Sequence, residues 1–157
     1  TVVCIGGNPI GCEKPGWEFN FGNDVEAANI VLRCGGDVWL IPNNVYGTMH
    51  IGFGEMQQRI APYGEIGRLL YENLISFYET ENASWSAGES WSLGDSPAVG
   101  VTLEPNCGSF MYCKAPEVQE DTSYHYPENS PQIRVYTSIN SRFIIEDFIS
   151  KLQILYG

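Results

Sequence analysis

The sequence predicts an α/β fold, and three observations carry that prediction. An apolar run ending in paired glycines, Val2-Val3-Cys4-Ile5-Gly6-Gly7, reads as a buried strand. A helical segment, Asp24–Arg33, is closed by Cys34-Gly35-Gly36 and leads into a second apolar strand at Asp37–Pro42. Strand, loop, helix and strand in succession is the alternation of an α/β sheet. The chain ends in the same manner: Gln132–Ser138 alternates as a strand with Ile133, Val135 and Thr137 on one face. Ser141–Leu155 then reads as an amphipathic helix with Phe143, Ile144, Phe148, Leu152 and Leu155 inward. No repeat or linker interrupts the 157 residues, which read as a single domain or one part of a domain.

Between these ends, Asn8–Gly16 is a loop rich in Gly and Pro. Loops that follow strand ends are where open α/β sheets bind ligands. Asn43–Gly54 reads as irregular, and Glu55–Ile60 and Gly64–Tyr78 as helices. In the second, Ile66, Leu69, Leu70, Leu74 and Phe77 recur near helical spacing, a stripe expected to pack into the core. Glu79–Ser92 is polar and carries Trp85 and Trp91, whose rings either anchor the loop or stack on a ligand ring. Asp95 opens a helix at Ser96–Leu103 with Pro97 in its first turn, and capping that helix is a sufficient role for it. Cys107–Val118 suggests a strand and hairpin, and Gln119–Pro131 a polar loop.

Composition narrows the classes. Hydrophobic residues are 43% and aromatics 13%, which describes a globular chain with a sizeable core. The formal charge of −11, from 8 basic against 19 acidic residues, argues against a nucleic-acid partner, whose affinity comes from Lys and Arg. It also disfavours an anionic membrane surface, and no apolar run is long enough to span a bilayer. The acidic balance permits divalent-cation binding, although a solvated acidic surface is sufficient by itself to account for it. No signal peptide is evident, and the opening inside an apolar strand leads us to expect a mature or clipped chain.

Five cysteines stand at Cys4, Cys12, Cys34, Cys107 and Cys113, without a CxxC or a zinc spacing. Cys107–Cys113 and Cys4–Cys12 are spaced to close short disulfide loops, and the odd count leaves one thiol over. With the glycosylation sequon Asn82-Ala83-Ser84, disulfides would point towards an extracellular protein. Buried free thiols in a cytoplasmic protein are the competing reading.

The chemistry concentrates in Trp17-Glu18-Phe19-Asn20-Phe21-Gly22-Asn23-Asp24-Val25-Glu26-Ala27-Ala28. Glu18 and Asn20 offer oxygen acceptors, and Asn20 adds amide donors, in an aromatic setting suited to gripping the hydroxyls of a small polar ligand. The alternative is a plain strand-to-helix loop in which Asp24 caps the helix and Glu26 favours its first turn.

Glu18-Phe19-Asn20-Phe21-x-Asn23-Asp24-x-Glu26-Ala27-Ala28 resembles the Glu-Phe-Asn…Asp-Pro-Glu-Ala-Ala signature of the inosine-uridine-preferring nucleoside hydrolases. Gly6-Gly7 stands where that family has a Met-Gly-Gly strand end, and Gly94-Asp95-Ser96-Pro97-Ala98-Val99 resembles its His-Asp-Pro-Leu-Ala-Val. The resemblance covers nearly the whole chain but only the C-terminal part of the family's domain. It implies a nucleoside-hydrolase-like open, mostly parallel sheet with flanking helices. It also implies hydrolysis of the N-glycosidic bond of ribonucleosides with calcium as the cofactor. Glu18 and Asn20 would bind ribose hydroxyls, Asn8 would join them if its loop is rebuilt, and Asp95 would be a calcium ligand.

The departures are as informative. The family's aspartate-rich motif, which supplies most of the metal site and the general base, is not found in these residues. Gly94 replaces the histidine that many members use to protonate the leaving base, and His50 and His125 lie outside the motif. Leu-Asp-Val-Thr becomes Asn43-Asn44-Val45-Tyr46, and Cys12 aligns with the family's asparagine. Two accounts follow from the resemblance. In one, a second polypeptide carries the N-terminal half and the aspartates. In the other, the chain is a catalytically inactive sugar- or nucleoside-binding protein, of lectin-like, storage or defence type, on the same fold. A partial sheet would expose Val2–Ile5 as an edge strand needing a partner.

Overall fold

The computed structural model describes residues 1–86 and 88–157. They form two compact units: Thr1–Thr48 with Gly94–Asn140, and Met49–Leu93 with Ser141–Gly157.

The first unit is built on a four-stranded sheet. Its strands are β1 (Val2–Ile5), β2 (Val38–Ile41), β5 (Gly108–Lys114) and β8 (Gln132–Ile139). They lie in the order β1-β2-β8-β5. β1 and β2 are parallel in direct register, Val2 beside Val38 and Ile5 beside Ile41. β2 and β8 are also parallel, with Leu40 beside Val135, whereas β5 runs antiparallel to β8. The expected α/β architecture with a mostly parallel sheet is therefore present, and β1 lies at its edge. Val38-Trp39-Leu40-Ile41 is apolar throughout because a central parallel strand is covered on both faces.

Helices α1 (Phe19–Gly22), α2 (Val25–Leu32), α3 (Asn43–Tyr46) and α6 (Ser96–Leu103) belong to this unit. So does a small antiparallel ribbon of β6 (Glu117–Val118) and β7 (Tyr124–His125). One core cluster joins Phe21 and Leu32 to Leu40, Val118, Ile133 and Val135. On the opposite face of the sheet, Arg134 stacks its guanidinium 4.1 Å from the Trp39 ring centroid and 4.2 Å from that of Phe110. Several sequence expectations need correcting here. Asn43–Gly54 is not irregular, since it carries α3 and a strand. Gln119–Pro131 is not wholly loop, since it contains β7. Thr137, expected to share the inward face with Ile133 and Val135, is exposed beyond the β5 bulge between Ser109 and Phe110, and the buried neighbour is Tyr136.

The second unit contains the antiparallel pair β3 (His50–Gly52) and β4 (Ser90–Ser92), helices α4 (Phe53–Arg59), α5 (Gly64–Tyr78) and α7 (Ser141–Tyr156), and a 3-10 turn at Glu81–Ala83. Ile51, Met56, Ile60, Ile149 and Leu152 form its core. The stripe on α5 does not pack as expected: Ile66, Leu69, Leu70 and Phe77 are exposed. Leu74 of the stripe does pack, and beside it the helix presents Gly67 and Tyr71. A Cβ at Gly67 would collide with the Ile60 carbonyl, so glycine permits this close approach. On α7, Ile144, Ile149 and Leu152 are buried, while Phe143 and Phe148 are only partly covered and Leu155 is 71% exposed.

Cys4, Cys12, Cys34, Cys107 and Cys113 are all free thiols, so neither short disulfide loop is formed. No helix among the described residues is long and apolar enough to cross a membrane.

Candidate functional site

The end of β1 and the start of α1 meet at Glu18. Its backbone is extended, and its side chain turns back to cap α1. Oε2 accepts the N–H groups of Gly7 at 2.8 Å and Phe21 at 2.9 Å. Oε1 accepts the N–H of Asn20 at 3.1 Å and the hydroxyl of Tyr46 at 2.7 Å. Glu18 is only 2% exposed, and a buried carboxylate is tolerated because four donors replace its water. Gly7 makes the arrangement possible. Its φ is +81°, and a Cβ there would strike the Tyr124 hydroxyl and approach the Phe21 ring to 2.6 Å.

Thr122 clamps the loop from the β6–β7 turn. Its hydroxyl accepts the Glu18 N–H at 2.8 Å and donates to the Gly16 carbonyl at 3.1 Å. Its φ of 63° is left-handed, which is strained for a β-branched residue. Asn8 is buried, and its amide donates to the carbonyls of Gly16 (2.9 Å) and Thr122 (3.0 Å). The structure therefore places Asn8 inside the loop's own hydrogen-bond network.

Asn20, by contrast, is exposed. It lies near enough to the Tyr46 phenol to favour its ionised form, whereas Glu18 and Asp95 both disfavour that form. Burial first, then the bond and charge of Glu18, push the Tyr46 phenol well above the ordinary tyrosine range. Burial, followed by the Glu18 charge, does the same to Tyr124. Asp95 is exposed at the start of α6, and its side chain makes no cap hydrogen bond, so the capping role is not realised. Glu18 thus bonds the Tyr46 phenol directly, and Asn20 and Asp95, from motifs up to 77 residues away, add weaker electrostatic influences on it. Tyr46 and Thr122 were not singled out in the sequence as site residues. Tyr46 was visible only as a departure from the Leu-Asp-Val-Thr pattern, and Thr122 gave no local signal because its partners lie 104 to 114 positions away.

Calcium takes six to eight oxygen ligands, and among the described residues no group of three or more His, Cys, Asp or Glu side chains is placed to hold a metal. His125 pairs with Glu117 at 3.2 Å on the ribbon, and His50 faces Ser90 on the β3–β4 pair.

A mostly parallel sheet with a buried, fully bonded carboxylate at the end of its edge strand describes an α/β protein whose candidate site lies at that strand end. The match to the family model "Inosine-uridine preferring nucleoside hydrolase" runs over residues 1–145, and the chain belongs to that family. Among solved structures it is similar to a plant nucleoside hydrolase, the PpNRh1 enzyme, with a TM-score of 0.68 and 17% identity over 85% of this chain and 46% of that one. It is similar also to the purine-preferring ribonucleoside hydrolase of Gardnerella vaginalis, with a TM-score of 0.68 and 19% identity over 87% and 46%. An inosine-guanosine nucleoside hydrolase gives a TM-score of 0.60 at 14% identity, over 82% and 43%. The chain thus spans less than half the length of these proteins. No curated protein sequence matches it at a significant level.

Proposed function

We propose that this chain is the ribose-binding part of a nucleoside N-ribosyl hydrolase whose active site is completed by a second polypeptide. The buried Glu18 carboxylate at the strand end, bonded by the Tyr46 phenol that Asn20 and Asp95 also influence, carries the reading, because family membership alone does not establish activity. Glu18 and Asn20 orient the sugar hydroxyls. Asp95 offers one oxygen to a calcium ion whose other ligands come from the completing chain. The edge position of β1 supports such a chain, since β2 pairs only one side of it and an unpaired parallel edge favours strand addition. Native mass spectrometry of the isolated protein, with and without denaturant, tests this. A companion polypeptide is expected, and a single 17.5 kDa species would contradict the two-chain reading.

One observation favours a second reading, a catalytically inactive sugar- or nucleoside-binding protein. Gly94 precedes Asp95 and has no proton to give a leaving base. Release of free ribose separates the two readings.

A further inference from the structure

The Glu18 carboxylate has no acceptor position to spare. A carboxylate offers about four lone-pair sites, and four donors hold Glu18, two on each oxygen. Three of them are backbone N–H groups, at Gly7 on the strand end and at Asn20 and Phe21 in the first turn of α1, and they move only if the chain moves. The fourth, the Tyr46 hydroxyl, is carried by a half-buried side chain at the last residue of α3 and is the one donor that rotation can withdraw. An incoming sugar hydroxyl can therefore donate to Glu18 only after the phenol leaves Oε1.

We propose that Tyr46 occupies the sugar-hydroxyl position on Glu18, so that ligand binding proceeds by displacing its phenol and Tyr46 sets the affinity of the site. The inference rests on the reading of Glu18 as a hydroxyl-binding residue. In the exchange one hydroxyl–carboxylate bond breaks as a like bond forms, so little of that bond's strength appears as affinity. Asn20, exposed and near the same phenol, is available to the displaced hydroxyl or to the ligand. Phenylalanine at this position keeps the ring and removes the competing donor. Tyr46→Phe should accordingly bind D-ribose about tenfold more tightly than the wild type.

The test is calorimetric titration of D-ribose into the intact protein, with any co-purifying polypeptide left in place, for the wild type and Tyr46→Phe. The ring-carbon NMR signal of Tyr46 is followed in labelled wild-type protein during the same titration. Tighter binding by the variant, with a Tyr46 signal that shifts as ribose saturates the wild type, is the expected result. Ribose binding by the wild type that is equalled or weakened in the variant overturns the displacement and leaves the sugar site standing. A Tyr46 signal unmoved at saturating ribose does the same, and needs no variant to fold. Absence of ribose binding in both proteins overturns the site reading itself, and the displacement with it.

Discussion

The hydroxyl of Thr122 accepts the backbone N–H of Glu18 at 2.8 Å and ties the β6–β7 turn to the residue on which the candidate site is centred. Removing that acceptor leaves a buried N–H unpaired. Thr122→Val, which keeps the shape and loses the hydroxyl, should destabilise the protein by about 1–3 kcal/mol. Thr122→Ser should stay close to the wild type. Urea midpoints measured side by side check this, and a loss in Thr122→Ser with Thr122→Val near the wild type would assign the effect to the methyl group instead.

Gly7 should tolerate no side chain. Alanine there needs a left-handed φ and a Cβ in contact with Phe21 and Tyr124. Strain and overpacking together predict a loss of at least about 2 kcal/mol for Gly7→Ala. Its thermal midpoint should fall well below that of Gly11→Ala, whose Cβ would meet nothing within 4 Å although its φ is also positive.

Tyrosine ionisation should be heterogeneous. Tyr46 and Tyr124 are raised, chiefly by burial and then by Glu18. Because their folded pKa values lie above the unfolded value of about 10, their contribution to stability is present below that pH and is lost as pH rises further. An absorbance titration of the nine tyrosines should show a late fraction that ionises only with alkaline unfolding, and Tyr46→Phe should shrink it. A single transition near pH 10 for all nine would be inconsistent with this burial.

In the second unit, Arg59 donates to both Glu146 oxygens, at 2.9 and 2.7 Å, and to Glu55 at 2.7 Å. The bond from Arg59 holds the Glu146 carboxyl below its ordinary value. The stabilisation is present above the unfolded glutamate pKa, about 4.3, and fades as pH falls through the lower folded value. Glu146→Gln should flatten the dependence of stability on pH between about 3 and 5, where denaturant midpoints are read. An unchanged slope would show that the pair is fully screened.

The fold was legible where local patterns are strong. Val2–Ile5, Val25–Leu32 and Val38–Ile41 follow from apolar runs and glycine stops, and α5 was placed to the residue. Which face of α5 turns inward was not legible, because the deciding feature is the close approach of Gly67 to Ile60 and not the leucine stripe. At the site, Glu18, Asn20 and Asp95 stand in motifs, and the structure adds that the Tyr46 phenol bonds Glu18. Thr122 and Tyr46 could not be read from local sequence, since their value lies in contacts made across the fold.

The most direct test of the central claim is release of reducing sugar from inosine and uridine by the intact protein and its Asp95→Asn variant, a change at an exposed carboxylate that caps nothing. The account predicts hydrolysis by the wild type and a loss on the order of 100-fold or more in the variant. Ribose bound by the wild type with no sugar released from either nucleoside would contradict it, and would make this chain a binding protein on a hydrolase fold.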